Sequence, residues 1–298
     1  MSTAPIFCIL NAGAHSDAAE KRRDELADLF AKQGQTVEIL VAKSGDQIIS
    51  LTQKALSQNC SLLIAGGGDG TMNAVASQLV GTDTPMGVLP LGTLNHFAKD
   101  LGIPLKLEDA VANVFAGTRQ AVDVGKVHDR IFLNNSSIGL YPGIVVQRET
   151  LQRDGASKWP AFGQALIYAL WRYSSLRVRL DLGNETLTTK TPLVFIGNNR
   201  YEIKAPYLGQ RKSLTEGRLC IYQTPRASRA KLLWLALRAL LGIANIADLS
   251  ERDATQFWIR ASARRLRVAT DGEVMRMKTP LHYRILPRSL HVIVPVPE

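Results

Sequence analysis

The 298-residue sequence has only three cysteines, and they stand far apart at Cys8, Cys60 and Cys220. None belongs to a Cys-x-x-Cys pair, so their spacing excludes a disulfide framework and the usual zinc sites. Widely separated free thiols are typical of proteins in a reducing compartment. The sequence therefore predicts a cytoplasmic protein without structural disulfides.

Long apolar runs are also missing. No uninterrupted apolar stretch reaches about 20 residues, the length that a membrane-spanning helix needs. The N-terminus has no basic region before its first apolar run and becomes charged at residues 20–23, unlike a secretory signal peptide. We therefore expect neither a membrane-spanning helix nor a cleaved leader.

Aromatic residues make up only 6% of the chain, whereas positive charge is abundant, with a formal net charge of +10. A basic surface suits nucleic acid, an anionic membrane or phosphorylated small molecules alike. The four tryptophans are scattered, the basic residues are dispersed and no known nucleic-acid module is present. Binding of nucleic acid is therefore the weakest of these alternatives.

Glycine is concentrated at one point. Residues 65–71, with the sequence AGGGDGT, follow an apolar run and precede a helix-compatible segment, so they form a strand-to-helix turn. Glycine lets a ligand approach the backbone, and the N-terminus of the following helix suits phosphate. Because Asp69 would repel a bare phosphate, the turn indicates a nucleotide with Mg²⁺. The alternative is an ordinary tight turn capped by Asp69 and Thr71.

Strand and helix patterns alternate through the first 120 residues, which predicts βαβ units and a mostly parallel sheet. Ligands of such sheets collect at the carboxyl ends of the strands, where Asn11, Val41 and Gly66 are expected. From residue 120 onward strand patterns follow one another, with helical segments only at 160–173 and 228–244. The predicted fold class is α/β, with an N-terminal Rossmann-like nucleotide domain and a β-rich C-terminal domain.

Together these segments resemble the diacylglycerol kinase catalytic-domain family, which includes soluble bacterial lipid kinases and the sphingosine kinases. Residues 67–71 match its nucleotide turn, although NAD kinases and phosphofructokinases carry similar turns. The pattern P-x-G-T-x-N-x-F-A at residues 90–98 is far more specific to lipid kinases. Further matches are D-x-G at 123–125, F-x-N-x-S-x-x-G at 132–139 and D-G-E at 271–273, so the resemblance covers nearly the whole chain.

The resemblance implies ATP-dependent phosphorylation of a lipid hydroxyl, such as that of diacylglycerol, with ATP and Mg²⁺ as cofactors. It implies an ATP-binding domain over residues 1–123, to which a final strand at about 281–298 returns. A β-sandwich-like domain over residues 124–280 would bind the lipid substrate. The residues that would contact ATP are Asn11, Gly67, Gly68, Asp69, Gly70, Thr71, Asn73 and Thr93.

The catalytic residues that the resemblance implies are Asp69, Asp271 and Glu273, with Glu273 as the proton acceptor. Residues two apart on a strand point to one face, so either Asp271 or Glu273 could be the base while the other binds metal or water. Read alone, Asp-Gly-Glu also fits a hairpin turn with solvated acids. The segment that holds a structural Mg²⁺ in several bacterial members corresponds to Leu214, Glu216 and Leu219.

The sequence departs from the family's pattern at several positions. His96 replaces the acid that would join Asp69 and Asp123 in an Asp–water–Mg²⁺ network, and Glu216 replaces the usual aspartate. Val41 stands where a hydroxyl residue commonly meets the nucleotide. His96 and Glu216 keep open a non-catalytic nucleotide- or lipid-binding protein. An NAD kinase-like or other soluble-metabolite kinase is the second alternative.

The expected partner is a lipid substrate at the membrane surface, with no nucleic acid, and a homodimer is left open. Residues 226–247 combine basic residues with many apolar ones. Such a segment lies either at an anionic membrane surface or with its apolar side on the β-rich domain. We therefore expect a cytoplasmic protein that is peripheral to the membrane. The sequence does not specify which lipid is phosphorylated.

Overall fold

In a computed structural model, the described residues are 4–12, 16–143, 145–146, 175–183, 185–202, 210–223 and 250–296. The predicted helices at 160–173 and 228–244 lie outside these residues, as does the basic, apolar segment 226–247. No helix in the described part of the chain is long and apolar enough to cross a membrane.

Contacts within the chain define two compact units. The first comprises Met1–Val124 and Pro287–Glu298, and the second comprises Gly125–Leu286. The sequence predicts a boundary at residue 123 and the return of residues 281–298, approximately, to the first domain. That the two units are an ATP domain and a lipid domain stays a prediction.

The first unit contains a parallel sheet in the order β2-β1-β3-β4, next to the end of β16. Parallel pairing of β1 with β3 and of β3 with β4 aligns their carboxyl ends, since Leu10 lies opposite Gly66, and Gly67 opposite Pro90. Its strands are β1 (Ile6–Asn11), β2 (Glu38–Ala42), β3 (Leu62–Gly67), β4 (Met86–Pro90) and part of β16 (Leu281–Val294).

Helices cover this sheet, as expected for a parallel sheet whose strands are apolar throughout. The described helices are α1 (Ser16–Lys32), α2 (Gly45–Ser57), α3 (Asp69–Leu79), α4 (His96–Asp100) and α5 (Leu107–Ala116). Leu26 and Phe30 of α1 and Val111 and Val114 of α5 share one core with the strands. Every residue of β3 is buried, so the strand ends with Gly67 fixed in position.

The second unit is formed by antiparallel strands. One sheet has the order β12-β11-β10-β7-β14-β15, and a second part has the first half of β16 followed by β13, β8 and β9. The strands are β5 (Thr118–Val127, which begins in the first unit), β6 (Arg130–Phe132), β7 (Asn135–Gly139), β8 (Leu176–Asp181), β9 (Thr186–Thr191), β10 (Leu193–Asn198), β11 (Leu219–Gln223), β12 (Ser250–Ala254), β13 (Gln256–Ala261), β14 (Arg265–Thr270) and β15 (Glu273–Lys278).

A single apolar core draws residues from both sets of strands, for example Ile196 and Val268 from one and Ile259 from the other. The Tyr283 hydroxyl lies 3.0 Å from Ser136 Oγ and so joins the two sets inside this core. Burial raises the pKa of Tyr283 well above its usual value. The predicted fold class, a parallel nucleotide-type sheet plus a β-rich second region, is confirmed.

Two predicted boundaries are wrong. The apolar pattern of residues 131–135 predicts one strand, but the structure has two, because the chain turns at Leu133 and Asn134 between β6 and β7. The break at Pro90 predicts a new helix from near Thr93, but α4 begins at His96, because Asn95 has a left-handed backbone (φ +51°) that does not continue a helix.

Candidate active site

The glycine turn joins β3 to α3 with very little space around it. A Cβ on Gly67 would lie 2.3 Å from Thr71 Oγ1, so only glycine fits there. Gly68 is the N-cap of α3 and has no side chain with which to cap the helix's first turn. The backbone N–H groups at this end of α3 are therefore available to a ligand, as the phosphate interpretation requires.

A second loop, Leu91–Asn95, lies directly against the glycine turn. A Cβ on Gly92 would lie 2.5 Å from the Gly68 Cα, so the two backbones touch. Asn95 holds the loop closed, since its Oδ1 accepts from Gly92 N at 3.0 Å and its Nδ2 donates to Gly92 O at 2.9 Å. The Leu91 N–H also donates to Gly67 O at 2.9 Å. The two segments that carry the sequence resemblance therefore form one structure.

Asp69 connects the two loops. Its carboxylate accepts hydrogen bonds from His96 N at 3.2 Å and Phe97 N at 3.1 Å, the first amides of α4. It therefore caps a helix, which accounts for an acidic residue within a glycine-rich turn. Because this cap uses the backbone N–H of residue 96, histidine at that position leaves it intact.

The first strand adds a third part to this edge of the sheet. Asn11, the last residue of β1, donates from Nδ2 to the buried Thr71 Oγ1 at 3.0 Å. Gly70 and Thr93 are exposed, and Asn73 is half-buried on α3. The described geometry brings the glycine turn, Asn11 and the Gly92 loop together; it assigns no ligand to them.

Asp123 and Val41 have clear positions in the same unit. Asp123 is fully buried, and its Oδ1 accepts from Arg288 N at 2.8 Å, so it fastens β5 to the returning strand β16. Val41 is half-buried in β2, opposite Leu10. Its side chain is apolar, so it can offer a nucleotide only apolar contact.

In the second unit, Asp271 fixes the turn between β6 and β7. Its carboxylate accepts from the backbone N–H groups of Leu133 at 2.7 Å, Asn134 at 2.9 Å and Asn135 at 3.0 Å. A carboxylate offers about four acceptor positions, and these bonds use three of them. Asp271 is therefore a structural anchor of the Asn-x-Ser segment.

The expectation that Asp271 and Glu273 share a strand face is wrong. Asp271 and Gly272 form a two-residue hairpin turn with positive φ at both positions, and β15 begins only at Glu273. Glu273 is exposed, and its carboxylate lies 3.3 Å from the Arg130 guanidinium. The two acids therefore contact different partners and differ in availability to a substrate.

Arg211 holds the same turn from another direction, and sequence reasoning missed it. Only 4% of the residue is exposed. Its guanidinium donates to Leu133 O at 2.7 Å, Asn198 O at 2.9 Å and Asn134 Oδ1 at 2.7 Å. The sequence gives no local signal for this role, because the nearest of these partners is 13 positions away.

The predicted magnesium segment has a different electrostatic environment from the one expected. Leu214 is buried and Leu219 lies in β11, while the Glu216 carboxylate lies 3.5 Å from the Arg218 guanidinium. A guanidinium beside the single acidic side chain of the set already supplies positive charge. The arrangement does not fit a bound Mg²⁺ through Glu216, so we derive no step through a metal there.

Among the described residues, a group that could supply three metal-ligand atoms is Cys220, Glu251 and Asp253. Its charges are already balanced. Arg200 lies 2.9 Å from Glu251 and 3.1 Å from Asp253, and Arg218 lies 3.2 Å from Asp253. Burial opposes ionisation of Asp253, but bonds from Cys220 and Arg218 lower its pKa below the usual value. This cluster is an ion-pair network at the β11–β12 edge.

An open groove of about 740 Å³ lies beside this network in the second unit. It is lined by Asp181, Glu216, Arg218, Asp253 and Trp258, among others. Neither Asp271 nor Glu273 lines it. The groove is therefore separate from the residues for which a catalytic role is predicted.

Comparison with known proteins agrees with this geometry. Residues 5–127 match the diacylglycerol kinase catalytic domain, the region that contains both glycine loops. A probable lipid kinase YegS-like of Klebsiella pneumoniae (strain 342) is 27% identical, with 99% of this chain and 98% of that protein covered. A probable lipid kinase YegS of Escherichia coli O127:H6 is 31% identical over 51% of this chain and 52% of its own length.

A solved structure has the same fold. A diacylglycerol kinase of Bacillus anthracis str. Sterne superimposes with a TM-score of 0.69 at 20% identity, covering 99% of this chain and 98% of the other. The resemblance seen in the sequence is thus confirmed. Over residues 5–127 the chain is similar to the diacylglycerol kinase catalytic domain, and over nearly its whole length it is similar to a YegS-like probable lipid kinase.

Proposed function

We propose that the protein transfers the γ-phosphoryl group of ATP to the hydroxyl of a membrane lipid such as diacylglycerol. The observation that carries this proposal is the contact between the glycine turn and the Gly92 loop, the segment most specific to lipid kinases. Similarity to the diacylglycerol kinase catalytic domain and to a YegS-like probable lipid kinase supports the substrate class, and the open end of α3 supports a phosphate donor.

The first unit would bind and orient the nucleotide, which supplies the phosphoryl group when bound. Backbone N–H groups in the first turn of α3 are donors for phosphate oxygens, and Gly67, Gly68 and Gly70 place no side chain before them. The hydrogen bond from Asn11 to Thr71 joins the end of β1 to this turn. Phosphoryl transfer depends mainly on such positioning and on electrostatic stabilisation.

For the proton of the lipid hydroxyl we favour Glu273 over Asp271. At least three acceptor positions of Asp271 hold backbone N–H groups, so its carboxylate is committed to the turn. Glu273 is exposed and bound to Arg130 only through a surface ion pair, which is weak and readily exchanged. An exposed carboxylate can accept the proton as the new bond forms.

Transfer of label from radioactive ATP tests the proposal. The full-length protein is incubated with [γ-³²P]ATP and a total lipid extract, and in parallel with NAD and a mixture of soluble hydroxyl metabolites. We expect the label in a single lipid of the organic phase. Vesicles that contain diacylglycerol should give the same labelled product. Label confined to NAD or to soluble metabolites would instead establish a soluble-metabolite kinase. ATP binding without transfer in a single-turnover assay would establish a non-catalytic protein.

A further inference from the structure

The outer surface of one sheet in the second unit is strongly cationic. Along β8, Val178 and Leu180 are buried, so Arg177 and Arg179 lie on the opposite, exposed face. The same alternation exposes residues of β9, β13 and β16. We call this surface the cationic face; its basic residues are Arg177, Arg179, Lys190, Arg260 and Arg284.

Basic residues on this face stand directly opposite one another. Arg177 pairs with Lys190 across β8 and β9, and Arg179 pairs with Arg260 across β8 and β13. Like charges in directly opposed positions destabilise a sheet. Such an arrangement lowers stability unless an anionic partner compensates it.

Internal ion pairs do not provide that compensation. Within the described residues, none of the five cations forms an ion pair, whereas Arg200, Arg218 and Arg252 of the same unit all do. The acid on the face, Asp181, accepts the Gly183 N–H at 3.3 Å. Among the described residues, the unit therefore neutralises arginines at the β11–β12 edge and leaves those of this face, like the basic residues of β14 and β15, without ion pairs.

An exposed tryptophan lies among these cations. Trp258 is 40% exposed, and its ring stacks on His282 with centroids 4.0 Å apart and planes 9° apart. Tryptophan favours the boundary between water and lipid, because its ring is apolar and its N–H is polar. Trp258 stands opposite Asp181, and the opposed pair Arg179 and Arg260 is the next pair along the same face, so a fixed ring lies beside cations, as suits a lipid headgroup region.

We propose that the cationic face docks the protein on an anionic lipid bilayer. Charge complementarity is the main argument, since each basic residue near an anionic membrane adds attraction that salt screens. A nucleic acid fits less well, because single-strand binding uses several aromatic rings to stack successive bases. The described face carries one large exposed ring, which is already stacked on His282.

Sedimentation of the full chain with vesicles tests this docking. The vesicles are pure phosphatidylcholine or phosphatidylcholine with 30 mol% phosphatidylglycerol, about a third anionic, at low and high salt. We expect binding only to the anionic vesicles, with release at high salt. The assay contains no ATP, so its result is independent of the proposed kinase activity.

A matched pair of variants locates the surface. Arg179→Gln with Arg260→Gln removes one opposed pair from the face, and we expect about 30-fold weaker binding, from about 1 kcal/mol for each residue. The control, Arg265→Gln with Lys278→Gln, removes an opposed pair of equal charge from β14 and β15. It should bind nearly as the unchanged protein does. Because both variants remove like-charge contacts, neither should lower the melting temperature.

Four results would overturn the proposal. The first is absence of binding to anionic vesicles, and the second is binding that does not depend on lipid charge or salt. The third is an equal loss of vesicle binding in both variants, which would mean general charge attraction. The fourth is tighter binding of a labelled RNA oligonucleotide than of vesicles, abolished by the Arg179 and Arg260 changes, which would assign the face to nucleic acid.

Discussion

In the first unit the candidate nucleotide site consists of two loops whose backbones touch, whereas in the second unit a turn is held by distant side chains. Gly68 and Gly92 approach closely because neither carries a side chain. The turn at Leu133–Asn135 is instead fastened by Asp271 and Arg211. The shape of the first region depends on glycines that lack a Cβ. The shape of the second depends on hydrogen bonds between side chains and the backbone of the turn.

This difference predicts different responses to mutation. In the first unit an added methyl group should harm the site, while in the second the loss of a hydrogen-bonding group should harm the fold. Substitution of the two proposed catalytic acids, Asp69 in the first unit and Glu273 in the second, should affect turnover more than stability. The following changes test these expectations, beginning with the largest effect.

Asp69→Ala should abolish turnover at a stability cost of about 1 kcal/mol, because the change removes the cap of α4. Asp69→Asn is the control, since its amide oxygen can still accept one of the two N–H bonds. We expect the asparagine variant to recover stability but not activity, measured by thermal melting and lipid phosphorylation. Recovery of both would limit Asp69 to a structural role.

Glu273→Gln should reduce turnover by about 10²–10⁴-fold, the usual range for loss of a general base. Stability and ATP affinity should stay the same, because the Arg130 ion pair is exposed. Asp271→Asn should lower the melting temperature as well, since its amide nitrogen would face backbone N–H donors. If Asp271→Asn lowers turnover far more than Glu273→Gln at equal stability, the two roles are reversed.

Arg211→Ala should lower the free energy of unfolding by about 3 kcal/mol or more, because buried oxygens of Leu133, Asn134 and Asn198 lose the three hydrogen bonds that Arg211 donates. Lys212→Ala is the matched control, since that side chain is exposed and forms only a surface ion pair with Glu202. Urea unfolding measures both. Equally small changes in the free energy of unfolding for both variants would show that Arg211 does not stabilise the turn.

The sequence was informative where structure depends on local pattern. The alternation of strand and helix predicted the parallel sheet, and residues 66–71 and 90–98 predicted the two loops at its edge. Glycine identifies such a loop directly, because the close approach itself requires glycine. The match to the diacylglycerol kinase catalytic domain covers this same region, residues 5–127.

The remaining features depend on partners far away in the sequence. Asp271 reaches Leu133 across 138 positions, and Arg211 reaches the same residue across 78. No periodicity or motif reports contacts at such separations, so the sequence predicts a continuous strand where the chain turns between β6 and β7. The positive charge beside Glu216 depends on Arg218, whose orientation no pattern in the sequence specifies.

The central claim is that the contact between the two glycine loops forms the ATP site, and equilibrium dialysis with labelled ATP tests it most directly. Gly92→Ala inserts a Cβ 2.5 Å from Gly68 Cα, while Gly45→Ala is a control with nothing within 4 Å. We expect at least about tenfold weaker ATP binding for Gly92→Ala, since overpacking of this kind costs about 1–3 kcal/mol, and unchanged binding for Gly45→Ala. Equal ATP affinity in both folded variants would contradict the claim.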